Sequence, residues 1–205
     1  MTKRLILLRH AKADYAPVID VEGLIGDQAH LFQTSPHDPD LTPTALAHQA
    51  GDRLRPLAAS GADDAPEAGR WLRENDWVPD SIVCSDALRT RQTCLWVCEQ
   101  LGEKAPTPYL DSRIYSAPAA KLISIINETP ESVQTMLVVG HMPTVQDVAM
   151  RLSAADSDED AVLAMASNYP PLGLCAFSFD GPWAELDGRD ARLEHFEVPR
   201  ATTRE

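Results

Sequence analysis

Three short apolar runs punctuate the chain: Leu5–Leu8, Ile82–Cys84 after the turn signal Pro79-Asp80, and the valine-rich Met136–Val139. Each has strand length and none alternates cleanly, which predicts strands buried on both faces, as in a parallel sheet. Helical periodicity lies between them. Pro66 reads as a first-turn proline ahead of an i, i+3, i+4 stripe of Ala68, Trp71 and Leu72. Ser85 or Asp86 is placed to cap a helix carrying Cys94, Leu95, Cys98 and Leu101, with Gly102 as its stop. Pro143 opens another helix with Val145, Val148, Ala149 and Leu152 on one side. Alternating strands and helices predict an α/β layer architecture. Farther on, Leu174–Phe179 and Arg192–Val198 alternate like an antiparallel hairpin, with the turn-rich DGPW and DGRD between them. Residues from Arg200 onward read as a frayed tail.

One stretch breaks the pattern. From about Tyr15 to Ala50 the chain holds four prolines, His30, His37 and several acids, with little periodicity. Long stretches of this kind in compact domains are lids, binding loops or passive insertions. The expectation is a single domain over residues 1–200, with an insertion at about 15–50 and a tail at 201–205.

Composition narrows the function classes. Hydrophobic residues make up 44% and charged residues 24%, the balance of an ordinary globular protein. The formal net charge of −13 repels nucleic acid and anionic membrane surfaces, so neither is expected as a partner. The early run LILL is too short for a signal peptide or a bilayer span, and no other segment approaches that length. Cys84, Cys94, Cys98 and Cys175 form no CxxC pair and have no histidine at metal-ligand spacing. They read as buried small hydrophobes in a reducing cytoplasm. The acidic run DSDED (156–160) reads as a solvated turn.

The residues that follow the three apolar runs carry chemistry. The first run ends in Arg9-His10, the second in Ser85 with Arg89 one helical turn later, and the third in Gly140-His141. Ligands of open α/β sheets collect beyond the carboxyl ends of the strands, so these side chains are expected to meet in one crevice. Arginine matches phosphate oxygens bidentately, and a neutral imidazole is a competent nucleophile near neutral pH. Attack by His10 on phosphorus would build charge on the equatorial oxygens. Arg9, Arg89 and a protonated His141 would stabilise it there. Gly140 would allow close approach of the backbone to substrate. Ser85 is either a helix cap or a ligand, and Lys12 either covers surface or helps steer an anion. His30, His37, His48 and His195 read as surface or structural residues, and Trp71, Trp77 and Trp96 as core.

The same residues carry a resemblance. LLRHAKAD (7–14) resembles the RH signature of the histidine phosphatase superfamily, also called phosphoglycerate mutase-like. SDALRTRQT (85–93) is similar to its S-P-x-x-R-x-x-Q-T element, with Asp86 in place of proline, and LVVGHMP (137–143) to its GHxP element. RPLAASG (55–61), GRWLRENDWVPD (69–80), RIYSA (113–117) and the closing DGPW and EVPR resemble the small SixA-type phosphohistidine phosphatases of bacteria. The resemblance implies a three-layer α/β/α sandwich with a mostly parallel central sheet. It implies His10 as nucleophile through a phosphohistidine intermediate, with Arg9, Arg89 and His141 on the phosphoryl group. It implies no metal and no organic cofactor. The expected partner is a phosphorylated substrate, with protein phosphohistidine favoured.

Two departures qualify this. Larger members of the superfamily place a general acid in an x-E-R-x-Y-G stretch, where LDSRIYSA (110–117) has Ser112, with Asp111 one residue early as a candidate acid. His10 and Arg55 stand 45 positions apart, far more than in small members, which is why the stretch at 15–50 reads as an insertion, either over the pocket mouth or passive. An alternative alignment uses DPDLTPTALAHQA (38–50) as an L-T-x-x-G element, with Ala45 replacing the glycine. Competing functions are a broad sugar phosphate or nucleotide phosphatase, a mutase, and a non-catalytic module that holds phosphorylated ligands.

Overall fold

A computed structural model describes residues 2–15 and 51–201. Expectations placed on residues 16–50 (the insertion, the alternative alignment, His30, His37 and His48) and on residues 202–205 lie outside the described residues.

Each apolar run is a strand: β1 (Thr2–Arg9), β2 (Ser81–Cys84) and β4 (Thr135–Gly140). With the short β3 (Tyr109–Leu110) and the hairpin of β5 (Leu174–Asp180) and β6 (Arg192–Glu197), they form one six-stranded sheet of order β3-β2-β4-β1-β5-β6. The strands β3, β2, β4 and β1 pair in parallel, while β5 is antiparallel to both β1 and β6. β1 is central, with Leu5 opposite Met136 on one side and Phe177 on the other.

Both faces of the sheet are covered, which is why the runs show no alternation. Leu5 and Leu7 of β1 point into a core shared with α3 (Ala119–Asn127), α4 (Thr144–Leu152) and α5 (Glu159–Ser167). Ile6 and Leu8 point the other way, against α1 (Ala59–Glu74) and α2 (Leu88–Leu101). The result is the expected three-layer sandwich. α4 buries Val145, Val148, Ala149 and Leu152, the stripe read from the sequence. Each larger side chain of that stripe contributes about 2 kcal/mol of hydrophobic stabilisation.

Other local expectations are corrected. α1 starts seven residues before Pro66, which therefore lies inside the helix rather than in its first turn. The backbone hydrogen bond lost there is offset by close packing of α1 on α2. At Gly69 a Cβ would sit 2.6 Å from the Val97 carbonyl oxygen, so glycine is what lets the two helices approach. α2 begins at Leu88 with Ala87 as N-cap and no side-chain cap. The Ser85 hydroxyl is held instead by His141, and Asp86 by Arg53. Gly102 ends α2 as expected, with positive φ and its N–H on the Cys98 carbonyl. Arg200 and Ala201 are not frayed: both engage Asp64. Cys84, Cys94 and Cys175 are buried free thiols, and His195 packs edge-on against Trp71 and Trp77. No helix among the described residues is long and apolar enough to cross a membrane.

Candidate active site

The sheet order puts β2, β4 and β1 side by side, so their carboxyl ends open on one crevice. Main-chain hydrogen bonds stitch the exits together. The His10 N–H donates to the Gly140 carbonyl, and the Ser85 N–H to the Val139 carbonyl. The segment before β5 closes the far side, with the Arg9 N–H on the Gly173 carbonyl and the Leu172 N–H on the His10 carbonyl. Leu172 adopts a left-handed φ of 64° to do so. That conformation costs a non-glycine residue roughly 1–2 kcal/mol.

The RH element is also tied to α2. Thr93 Oγ1 donates to the Arg89 carbonyl and accepts from the Ala11 N–H, and Gln92 Oε1 accepts from the Leu57 N–H. The motif residue Thr93 thus holds the segment just past the first strand's exit directly, and Gln92 holds Leu57, which bridges to Ala13 of that segment. At Gly61 a Cβ would lie 2.1 Å from the Lys12 carbonyl oxygen, so α1 rests directly on the chain just past His10.

The two imidazoles meet, with ring centroids 5.3 Å apart and planes at 60°. His10 Nδ1 is 2.7 Å from the Ala11 carbonyl oxygen, which can only accept. The ring proton is therefore on Nδ1, and Nε2 carries the lone pair. Burial, assisted by the positive charges of Arg89, Arg9 and Arg55, lowers the His10 pKa to about 3. His141 is buried, with Nε2 2.8 Å from Ser85 Oγ and with Nδ1 enclosed and without a partner among the described residues. Burial and the neighbouring His10 and Arg89 lower its pKa to about 2. This favours a neutral His141 ring over the expected protonated one.

Arg9 donates from Nη1 to the Tyr169 carbonyl at 2.7 Å, and its Nε is enclosed without a partner among the described residues. Arg89 is buried and engaged in a way the sequence does not announce. Its Nη1 donates to the Asp52 carbonyl at 2.7 Å and its Nη2 to Asp52 Oδ2 at 2.9 Å. Tyr115 also donates to Asp52 Oδ2, at 2.5 Å, and Arg55 donates to Oδ1 at 3.0 Å. Burial opposes the Asp52 charge, but the bonds from Tyr115 and Arg55 and the Arg89 guanidinium outweigh it and bring the pKa to about 2. The Tyr115 ring stands edge-on to His141, 5.5 Å between centroids, with Arg53 stacked on it at 4.3 Å.

Asp52, Arg89, Tyr115 and His141 line a cleft of about 480 Å³, which continues past Ala117, Pro118, Met142 and Pro143 to Thr144 and Asp147. His10 does not line this cleft and meets it through the His141 ring. Lys12 is exposed. Asp111 is corrected as a candidate acid. Its carboxylate caps the turn Ser112–Ile114 and takes three bonds from the Arg113 side chain, and it is absent from the cleft wall. Gly140 serves packing, since a Cβ there would meet Val145 at 3.0 Å and Ile114 at 3.6 Å. Among the described residues no group of three or more His, Cys, Asp or Glu is arranged to hold a metal ion. Asp52 and Tyr115 are the residues that sequence reasoning missed. The signals were the DRLR run of residues 52–55 and the tyrosine of RIYSA.

No family model matches the chain. It is 37% identical over 150 residues to Rv1276c, an uncharacterized protein of Mycobacterium tuberculosis, an overlap of 73% of this chain and 92% of that protein. The fold superposes on the protein named SixA in Nakamurella multipartitia, with a TM-score of 0.71 and 24% identity, covering 98% of each chain. It also superposes on the SixA of Agrobacterium tumefaciens, with a TM-score of 0.63 and 25% identity over 96% of this chain and 98% of that one. With the RH, S-x-x-x-R and GH elements brought to one crevice of such a sandwich, the chain has the fold of the histidine phosphatase (phosphoglycerate mutase-like) superfamily and resembles its SixA-type members.

Proposed function

We propose that the chain is a phosphatase in which His10 Nε2 attacks phosphorus, with protein phosphohistidine as the favoured substrate. The observation that carries this reading is two enclosed nitrogens without partners among the described residues, Arg9 Nε and His141 Nδ1, on the chain neighbour and the ring neighbour of a histidine whose Nδ1 faces a carbonyl oxygen and whose Nε2 keeps its lone pair. Buried polar groups left unpaired are rare and here fit the oxygens of a bound oxyanion. In this reading the Ser85 hydroxyl, 2.8 Å from His141 Nε2, donates to it, which places the ring proton on Nδ1 where an equatorial oxygen would accept it. Arg89 supplies a second guanidinium.

In the first step the His10 Nε2–P bond forms as the bond from phosphorus to the leaving group breaks, and the electron pair departs with that group. Water then attacks the phosphohistidine and inorganic phosphate leaves. Asp52 is held ionised and so is not poised to protonate an alkoxide leaving group. A phosphorylated imidazole needs no such proton if it is already protonated on its far nitrogen. Asp147, in the cleft and without a side-chain partner among the described residues, suits that N–H.

The test compares the wild type and His10→Ala on an aryl phosphate and on a phosphohistidine peptide. Loss of His10 is expected to lower both rates by ~10³ or more. The wild type should yield an acid-labile, base-stable phosphoenzyme. Equal turnover by the two proteins removes the nucleophile, and turnover of the aryl ester alone removes the phosphohistidine preference.

A further inference from the structure

Arg89 is 7% exposed, and a guanidinium so enclosed needs a counter-charge at every moment of the cycle. A substrate or product phosphoryl group supplies one only while it is bound. Among the described residues that charge is Asp52, which holds Arg89 through its main-chain carbonyl and one carboxylate oxygen, while Tyr115 and Arg55 fix the carboxylate in place. The Asp52 side chain is about one third exposed and lies on the cleft wall, so it borders the space an oxyanion would enter.

We infer that Asp52 is a built-in counter-anion that competes with inorganic phosphate for Arg89, keeping the guanidinium paired between turnovers and promoting release of the product. The inference rests on the reading of this cleft as a phosphoryl site. An incoming phosphate gains Arg89 only by sharing it with, or displacing, a carboxylate already bonded there. The net affinity is the difference between two ion pairs rather than the full strength of one. A phosphatase benefits from that difference, because its product carries the same charged group as its substrate.

The experiment measures binding of inorganic phosphate by titration calorimetry to the wild type, Asp52→Asn and Asp52→Glu. Asparagine keeps the main-chain carbonyl bond and the side-chain shape but removes the charge. D52N is expected to bind phosphate at least about tenfold more tightly, because a unit charge at hydrogen-bonding distance from the site has been removed. D52E, which restores the charge, is expected to return the dissociation constant to within about threefold of the wild type. If D52N does not fold, Asp52→Ala carries the same expectation. Phosphate binding to the uncharged variant that is unchanged or weaker overturns the inference, since Asp52 would then only position Arg89. The readout needs no turnover. Tighter binding by D52N in a protein that hydrolyses neither test substrate leaves the counter-anion role standing and removes the hydrolytic reading. Normal hydrolysis with no tightening does the reverse.

Discussion

Ser85 and His141 show how much a single proton position can matter. A neutral imidazole has one N–H, and in the proposed reading the serine hydroxyl 2.8 Å from Nε2 donates to that nitrogen and leaves the proton on the enclosed Nδ1. Ser85→Ala removes that bias, so kcat/KM on an aryl phosphate is expected to fall about tenfold, the weight of one lost hydrogen bond of this kind. An unchanged value would mean that the ring is oriented by packing against Tyr115 alone. Asp147 gives a prediction of the opposite kind, selective rather than general. Asp147→Asn is expected to lower kcat/KM on a phosphohistidine peptide about tenfold, the worth of one charge-assisted bond, while aryl phosphate turnover stays within about twofold. Parallel losses on both substrates would assign the residue to folding or to the phosphoryl site instead. His10, Arg9, Arg89 and His141 were legible because each stands next to a strand-like run, and strand ends are where α/β proteins collect ligands. Asp52 and Tyr115 were not. Their part depends on a helical turn at 51–53 and a turn at 112–114 converging on α2, and no local pattern encodes that meeting. Asp111 was misread for the same reason, because its partner is the arginine two residues along rather than anything in the cleft.

At the scale of elements, the glycines of α1 divide their work. Gly69 faces α2 and Gly61 faces the chain beyond His10. Gly69→Ala is expected to destabilise the fold by about 1–3 kcal/mol through overpacking, with little change in kcat of the folded enzyme. Gly61→Ala forces a Cβ into the Lys12 carbonyl and moves the segment that fixes the His10 ring, so it should lower kcat as well. Thermal melts with rates measured well below the transition separate the two. Equal kcat in both variants would mean that the Lys12 contact does not reach the nucleophile. The strands, the late hairpin and the α4 stripe were readable because burial on one or both faces leaves a plain hydrophobic pattern. The start of α1 was not, because the sequence rule for proline favours a first turn, and tertiary packing at Ala65, Ala68 and Gly69 overrode it. The cap of α2 was misassigned because the polar side chains at its entrance are used by the site.

Over the whole molecule, the two histidines of the site make stability depend on acidity. Their folded pKa values lie at about 3 for His10 and about 2 for His141, below the ordinary value of 6.5. Between pH 6.5 and about 3 the unfolded chain therefore binds more protons than the native one, and stability falls as pH falls. Asp52 works in the same direction at lower pH. Its contribution is complete above 3.8 and is lost as pH drops through about 2. The window from pH 6.5 down to about 5 precedes most carboxylate titration and so isolates the imidazoles. Melting temperatures are expected to decline across that window, and His141→Gln to flatten the decline. A wild-type curve level from pH 7 to 5 would contradict the burial of these rings.

β1 lies between β4 and β5, two strands that the ribosome delivers long after it. Tyr169 and Gly173, which hold Arg9, come later still than β4. The nucleophile is thus among the first residues made and among the last to be given its surroundings. A nascent chain stalled before residue 173 carries the RH pair without β5, one of the two strands that flank β1, so unfinished copies of this protein lack part of the frame that holds Arg9.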